Sequence, residues 1–593
     1  MRVDFDDAPA AAANDEADDV NVVVLKFGSS VLRTREDLPD VVSEIYRYAR
    51  EGRKVVAVVS ALAGETDALI AEARDAGASS LSRHAPRLIS LGEERSAALL
   101  AITCEAVGLD ARILGARALN LRAGGPVDNA HPEAVDAGGL RQELRRRDVV
   151  IVPGFVALGE AGEPVLLGRG GSDLTAVFLA SALGLSETTL MKDVDGVYDR
   201  DPAKAGDAAL RYRRLDWDGA REVAGKLLQP KAIEFAASHG VAIRVLRLNG
   251  DDGTLVSARG ETPSRSRKAE KLRVAVAGLG LIGEGVALRL SRENADYDLC
   301  AALVREPFKD RSTLQIEQTT NDLEAFLATK PDVVIDALPD GNAGRALIEA
   351  ALQRGVSVVT ANKQAIAGGI EALARLAANS GAAFHYSPAV GGGAPLLETV
   401  ARARAGGEVR SIEAALNGTV NFILTSLTHG VAFPDAVCAA QKAGFAEPDP
   451  SADLSGADAR AKLAILGYTA FGREIDPDAI EIEALDAEKA AALVREGGRW
   501  TQLARLEKGI GGAIRASLRF VRKDDDPLFS NAKWEANALR LLLSDGRLVE
   551  CRGKGAGRRP TVESILGDLG EIRRARSAGD LATGGLTLAA VSA

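Results

Sequence analysis

Cysteine is scarce in this 593-residue chain: Cys104, Cys300, Cys438 and Cys551 lie far apart, with no CxxC pair. That usage fits a reduced, intracellular protein, and the cytoplasm is the expected compartment. Histidine is equally thin, five residues scattered along the chain, so a His/Cys metal site has no support. No apolar run is long enough to span a membrane. The first twenty residues, MRVDFDDAPAAAANDEADDV, lack the basic start and apolar stretch of a signal peptide and read as a disordered acidic tail. Basic residues are outnumbered, 73 Lys and Arg against 83 Asp and Glu, for a net charge of −10. Such a balance argues against nucleic acid or an anionic membrane as the main partner.

The length predicts two or three domains. From Asn21 onward, strand and helix patterns alternate. Val22–Lys26, Lys54–Ser60, 149–152, Val165–Leu167, Thr188–Met191 and Val241–Leu248 read as strands, and Glu36–Gly52 as a helix. This alternation means an α/β domain with a mostly parallel sheet. Residues 258–270, ARGETPSRSRKAE, then break the pattern and read as an exposed linker. A second series follows, with strands expected at Val274–Ala277, Leu299–Val304, Val333–Ala337, Ser357–Thr360 and Ala383–Tyr386. Beyond about residue 396 the helical runs lengthen (431–443, 456–471, 486–508) and mix with strand candidates Leu518–Val521 and Leu539–Leu543.

Three motifs carry the chemistry of the first half. Lys26-Phe27-Gly28-Ser29-Ser30 sits where a strand ends. Small residues there let backbone amides face phosphate oxygens, and the lysine adds a point charge. A Gly-Ser turn after a strand is also an ordinary turn. In Gly168-Arg169-Gly170-Gly171-Ser172-Asp173, the arginine can clamp a carboxylate and the aspartate can hold an ammonium. In Asp193-Val194-Asp195-Gly196-Val197-Tyr198, acids just after a strand can bind Mg²⁺ or orient a nucleotide, although Asp-Gly is also a common turn.

Taken with Ser60–Thr66, Gly92-Glu93, Pro153-Gly154-Phe155 and Gly225–Pro230 in the same order, these motifs make residues 21–257 resemble an amino-acid kinase, most similar to aspartate kinase. The resemblance implies that Lys26 and Lys226 neutralise ATP phosphates. It implies that Thr66, Glu93, Arg169 and Asp173 hold the amino-acid substrate, and that Asp193 helps place Mg²⁺-ATP. Two departures stand out: KFGSSV is one residue shorter than the family's KFGGTSV and closer to glutamate 5-kinase, and Lys192 stands where the family has threonine.

In the second half, Val274-Ala275-Val276-Ala277 followed by Gly278, Gly280 and Gly283 is a strand, turn and helix of the dinucleotide-binding kind. Glycine allows the tight turn, the approach of backbone to a pyrophosphate, and close helix packing. Arg305 stands 22 residues after Gly283, where an arginine suits a 2′-phosphate and so favours NADPH over NADH. Farther on, Asp458 and Lys462 fall on one helical face (i, i+4), which by spacing alone is also the pattern of a surface ion pair.

With Thr360–Lys363, Ala389–Pro395, Leu416–Asn421, Glu447–Lys462 and Gly553–Thr561, residues from Leu272 to Leu569 resemble homoserine dehydrogenase. The resemblance implies NAD(P)H-dependent reduction of aspartate semialdehyde to homoserine. In it Lys462 gives the proton, Asp458 and Glu447 grip substrate, and Lys363 is a second active-site lysine. Gly278, Gly280, Leu281, Ile282, Gly283, Arg305, Thr360, Lys363, Gly444 and Gly553 meet the cofactor. Backbone carbonyls of Ser387, Val390, Gly392 and Ala394 hold a monovalent cation, Na⁺ or K⁺; the family usually has glutamate where Ser387 stands.

The expected architecture is α/β throughout. An amino-acid-kinase-type domain (21–257) and a linker (258–270) lead to a Rossmann-type domain (271–396). An α+β substrate and dimerisation domain (397–593) follows, its last segment returning to the nucleotide-binding domain. The two resemblances together imply a bifunctional enzyme acting on small molecules, at least a homodimer. There is no room for a regulatory ACT domain between Leu255 and Lys271, and no sign of one after Leu569. The alternative is an active dehydrogenase carrying a non-catalytic or glutamate-specific kinase-like half.

Overall fold

The computed structural model of the chain describes residues 21–578 apart from 80–81, 226, 266–270, 293–294, 525, 531–533 and 535. The acidic tail and Lys226 therefore lie outside the described residues.

Long runs of Val, Leu and Ile make the kinase-like half. Such strands read as continuously apolar because helices cover both faces of a parallel sheet. Eight strands lie in the order Arg214–Asp216, Thr254–Ser257, Ala242–Arg247, Glu187–Lys192, Val22–Phe27, Lys54–Val59, Val149–Pro153, Ala111–Ile113. The central strand Val22–Phe27 runs parallel to both neighbours. On one face Val23, Leu25 and Phe27 pack with helices Leu38–Arg50 and Leu91–Val107. On the other, Val24 packs with Gly171–Ala182 and Pro230–His239. A four-stranded side sheet of short segments (His131–Ala134, Arg122–Gly124, Val156–Leu158, Pro164–Leu166) was legible only at its last strand, one residue out of place.

The linker is not free over its whole length. Ser264–Arg265 pairs antiparallel with Leu210–Arg211, which ties it back to the domain it leaves.

The next sheet is wholly parallel, in the order Gln318–Thr320, Tyr297–Leu303, Leu272–Ala277, Val333–Asp336, Ser357–Thr360, Phe384–His385. Numbered along the chain this is 3-2-1-4-5-6, the Rossmann order. The last sheet (Glu481–Ile482, Ile514–Arg522, Trp500–Lys508, Val409–Ala415, Ala536–Leu543, Leu548–Lys554) is mostly antiparallel. Here the expected helical run 486–508 is corrected. The helix is Ala487–Glu496; Gly497 and Gly498 at φ +67° and +87° end it, and Trp500–Lys508 is a strand. Left-handed backbone, cheap only for glycine, switched the period from helical to alternating.

The final helix, Arg558–Ala578, returns to the Rossmann sheet, where Val562, Ile565, Leu569 and Ile572 pack with Leu272, Val274 and Val286. Among the described residues, no helix is long and apolar enough to cross a membrane.

Candidate active sites

Both candidate sites form where parallel strands end. In the first half, Lys26 is the penultimate residue of strand Val22–Phe27, Lys192 closes Glu187–Lys192, and Asp173 lies in the first turn of helix Gly171–Ala182. The three meet in the interior. Lys26 Nζ is 2.6 Å from Asp173 Oδ1, and Lys192 Nζ is 3.1 Å from Asp173 Oδ2. Burial would raise the Asp173 pKa, but the two ammoniums outweigh it and hold the carboxyl below its usual range. Lys26 is lowered, chiefly by burial and further by Lys192, with Asp173 opposing. The turn after the strand is closed by Gly28 O, which accepts the N–H groups of Val31 and Leu32. A Cβ at Gly28 would stand 2.4 Å from Lys26 Nζ, so glycine leaves the space into which the ammonium folds.

Lys26, Thr66, Glu93, Arg169, Asp173 and Asp193 line a single cleft of about 880 Å³, with Lys192 beside them. Arg169 and Asp193 are exposed to it. Glu93 is buried; its Oε1 accepts the Ala61 N–H at 3.2 Å, and burial pushes its pKa up to about 7. Asp173, expected to hold the substrate, is turned toward the lysines, one on each carboxylate oxygen. Asp195 is committed to structure, accepting from Tyr198 Oη at 2.6 Å and pairing with Arg211 at 3.0 Å.

In the second half the glycine turn has the shape its sequence predicts. Gly278 has φ +86°, and a Cβ there would meet Ala337 O at 2.7 Å; one at Gly283 would stand 1.8 Å from Gly278 O. A Cβ at Gly280 would meet no protein atom within 4 Å, so its side opens outward at the start of helix Leu281–Arg292. Leu281 is exposed, Ile282 partly buried, and Arg305 exposed just past strand Tyr297–Leu303. In register with Ala277, Asp336 ends the neighbouring strand and Thr360 the next. Thr360 Oγ1 donates to Asp336 Oδ2 at 2.9 Å and accepts the Asn362 N–H at 3.0 Å, while burial raises Asp336 to about 6.

Beyond that strand Lys363 opens a short helix capped by Asn362. Its Nζ is 2.8 Å from Asp458 Oδ1, and Lys462 Nζ is 2.8 Å from Asp458 Oδ2. The (i, i+4) pair is thus no surface pair: the side chains are 13% and 14% exposed. Burial would raise the Asp458 pKa, but Lys462 and Lys363 hold it far below the usual carboxylate range. Burial would lower Lys363, but Asp458 raises it on balance. Lys462 also donates to Leu416 O at 3.0 Å. Sequence reasoning passed over Asp453, which belongs to this cluster. Its Oδ2 accepts from Thr419 Oγ1 at 2.9 Å, and burial followed by the nearby Asp458 charge raises its pKa. The only sequence signal was its place in the acidic run before Lys462. Glu447 is exposed, near enough to act on Lys363 through charge, and Gly444 is exposed with φ +77° and open space at its Cβ.

The turn 387–394 is buried. Ser387 O accepts the Val390 N–H and Ala394 O the Leu396 N–H, while Gly391 and Gly392 adopt φ +92° and +58°. Gly553 lies against it: a Cβ there would meet Ala394 Cα at 2.8 Å.

Comparison with known proteins finds three family models along the chain. Residues 21–247 match the amino acid kinase family, 278–387 the homoserine dehydrogenase NAD binding domain, and 395–569 homoserine dehydrogenase itself. A segment similar to the amino acid kinase family thus precedes two segments similar to homoserine dehydrogenase in one chain. An aspartate kinase of Stutzerimonas stutzeri is 34% identical over 244 residues, 40% of this chain and 58% of that protein. An aspartokinase of Helicobacter pylori is 29% identical over 338 residues, 53% of this chain and 83% of that protein. Among solved structures, a homoserine dehydrogenase of Thiobacillus denitrificans is 26% identical with a TM-score of 0.48, covering 52% of this chain and 75% of that one. The chain thus spans a little over half the length of the Stutzerimonas relative. The cleft of the kinase-like segment carries the lysine-aspartate-lysine cluster, and the segment similar to homoserine dehydrogenase carries Asp458 and Lys462, with Lys363 from the NAD-binding-like segment.

Proposed function

We propose that the chain phosphorylates the side-chain carboxylate of L-aspartate with ATP and, at its second site, reduces L-aspartate 4-semialdehyde to L-homoserine with NADPH. The observation that carries the second activity is the buried cluster of Asp458 between Lys363 and Lys462. An ammonium has three N–H groups; Lys462 gives one to Asp458 and one to Leu416 O, leaving a third for the aldehyde oxygen. Bound dinucleotide supplies the hydride. Lys462 supplies the proton to the oxygen, Asp458 keeps both lysines aligned, and Glu447 and Asp453 face the substrate's ammonium. The open side of Gly280 receives the pyrophosphate, with Thr360 and Gly444 flanking the cofactor and Arg305 at the end of the second strand to meet a 2′-phosphate. Carbonyls of Val390 and Gly392, with those of Ser387 and Ala394, are the donor set for a monovalent cation; a carbonyl oxygen has two lone pairs, so one backbone bond does not disqualify it.

In the kinase cleft, phosphoryl transfer asks for positioning and charge stabilisation rather than covalent help. Lys26 and Lys192 supply positive charge toward the transferred group, fixed by Asp173. Arg169, Thr66 and Glu93 meet the amino acid, and Asp193 the Mg²⁺-nucleotide. The lysine pair held on one buried carboxylate is the observation favouring a working kinase over a non-catalytic scaffold.

One set of assays tests both halves. ATP turnover with aspartate, glutamate or no acceptor is measured in wild type and Lys26→Ala; dinucleotide oxidation with the semialdehyde is measured in wild type and Lys462→Ala. Aspartate-dependent turnover abolished by Lys26→Ala supports the kinase. Turnover with glutamate alone, or none in wild type, refutes it. Light scattering tests the expected homodimer.

A further inference from the structure

The helix Leu38–Arg50 belongs to the kinase domain, yet one face of it is buried in the dehydrogenase. Asp40, Ser43, Tyr46 and Arg50 recur at helical spacing and all point across the domain boundary. Asp40 pairs with Arg289 at 2.9 Å, and Ser43 bonds Glu563. Tyr46 Oη donates to Gly393 O at 2.9 Å. Arg50, only 2% exposed, reaches Asp568 at 2.6 Å, Glu398 at 2.9 Å and Glu571 at 3.2 Å, and donates to Ser564 O at 3.3 Å.

Those three carboxylates all come from the dehydrogenase and are nearly dry. Among the described residues Arg50 is the cation paired with them, and His385 Nδ1 lies 3.7 Å from Glu571 and 4.0 Å from Asp568. His385, Asp568 and Glu571 have the spacing of a cation site, and the Arg50 guanidinium already pairs with two of the three, Asp568 and Glu571. Without it, buried like charges would face one another, which is far more costly than an exposed pair.

The two deepest contacts grip the two ends of one turn. Arg50 holds Asp568, whose Oδ2 accepts the Ser387 N–H at 3.1 Å, and Arg50 Nη2 lies 3.5 Å from Ser387 Oγ. Tyr46 holds Gly393. Gly393 and Ala394 in turn donate to Lys554 O at 3.0 and 3.1 Å, and a Cβ at Gly392 would meet Gly555 O at 2.7 Å. The turn 387–394 is therefore fastened to the Gly553–Gly557 segment. From there helix Arg558–Ala578 runs along the helix of the glycine turn, with Arg558 3.0 Å from Glu284 and Val562 against Gly285.

We propose that Tyr46 and Arg50 are positioning residues of the dehydrogenase: from inside the kinase domain they fix the 387–394 turn and the C-terminal helix, and so set the affinity of the second site for its dinucleotide. The proposal rests on the dehydrogenase reading above. By linkage, dinucleotide binding then tightens the docking of the two domains to the same degree.

The test uses the full chain as wild type, Tyr46→Phe, Arg50→Met and Arg50→Lys, each assayed for homoserine oxidation, dinucleotide binding by fluorescence and kinase turnover. Tyr46→Phe keeps the ring and loses one buried hydrogen bond, so the dinucleotide KM and Kd rise roughly tenfold while kcat and kinase turnover stay near wild type. Arg50→Met has the larger effect, and Arg50→Lys restores part of it because a cation is restored. Unchanged KM and Kd in Tyr46→Phe overturn the proposal, also when Arg50→Met does not fold. Wild type that binds dinucleotide but never oxidises homoserine refutes the dehydrogenase reading instead, and the Kd series still decides the coupling.

Discussion

Replacing Glu93 by glutamine should free the kinase domain from a pH dependence built into its cleft. Glu93 is 2% exposed, its Oε1 accepts from the Ala61 N–H, and its Oε2 has no hydrogen-bond partner among the described residues. Burial raises its pKa from an ordinary 4.5 to about 7. Each tenfold change in a proton equilibrium is worth about 1.4 kcal/mol, so keeping the carboxylate ionised in the folded chain costs about 3 kcal/mol. Since the folded value lies above the unfolded one, the associated stability is fully present below pH 4.5 and is lost as pH rises through about 7. Glu93→Gln should match wild type near pH 5 and exceed it at pH 8, by up to about 3 kcal/mol. Aspartate presents an ammonium, so it should stabilise wild type more at pH 8 than at pH 6, and its KM should climb as pH falls below about 7. Amide hydrogen exchange of the peptide containing Ala61 reads the local opening directly. Parallel pH curves for wild type and Glu93→Gln, from pH 5 to 8, would refute the reasoning.

Other substitutions probe the remaining geometry. Gly280→Ala puts a methyl group where no protein atom stands, so the melting temperature should hold while the dinucleotide KM rises at least about tenfold, the effect of lost backbone approach. Lys462→Ala should lower dehydrogenase kcat by roughly 10²–10⁴ with near-native circular dichroism. Asp173→Asn leaves two buried ammoniums without their shared anion; a loss of about 3–5 kcal/mol in denaturant titration and of kinase turnover is expected. Burial chiefly depresses Lys26 and Lys192 adds to it; Lys192→Thr removes that added charge, so the alkaline limb of the kinase pH profile should move upward as turnover falls.

Much of this protein was legible in its order of residues because the signals are local. Apolar runs of strand length, glycines at 278, 280 and 283, and acids and lysines at strand ends each act within a few residues of themselves. The Rossmann strands and the glycine turn therefore came out nearly in place. The run 486–508 did not, because alanine-rich helix and alternating strand are separated there by two glycines whose left-handed backbone the composition does not announce.

What the chain alone determined is the inventory: two α/β series, their joining segment, and the side chains able to do chemistry. Only tertiary structure decided how those side chains are used. Asp173, expected to hold the substrate, carries Lys26 and Lys192, from two adjacent strands, on its two oxygens. Asp458 and Lys462 fit a surface pair by spacing alone and an active site by family resemblance; the fold buries them and brings Lys363, 95 positions before Asp458, to the other side of the carboxylate. Nothing in the sequence singles out Arg50 within the helix expected at Glu36–Gly52; its three acidic partners lie 348 or more positions away. The physical reason is common to all three. A buried charge is set by whatever the fold brings within a few ångströms of it, and sequence distance carries no information about that neighbour.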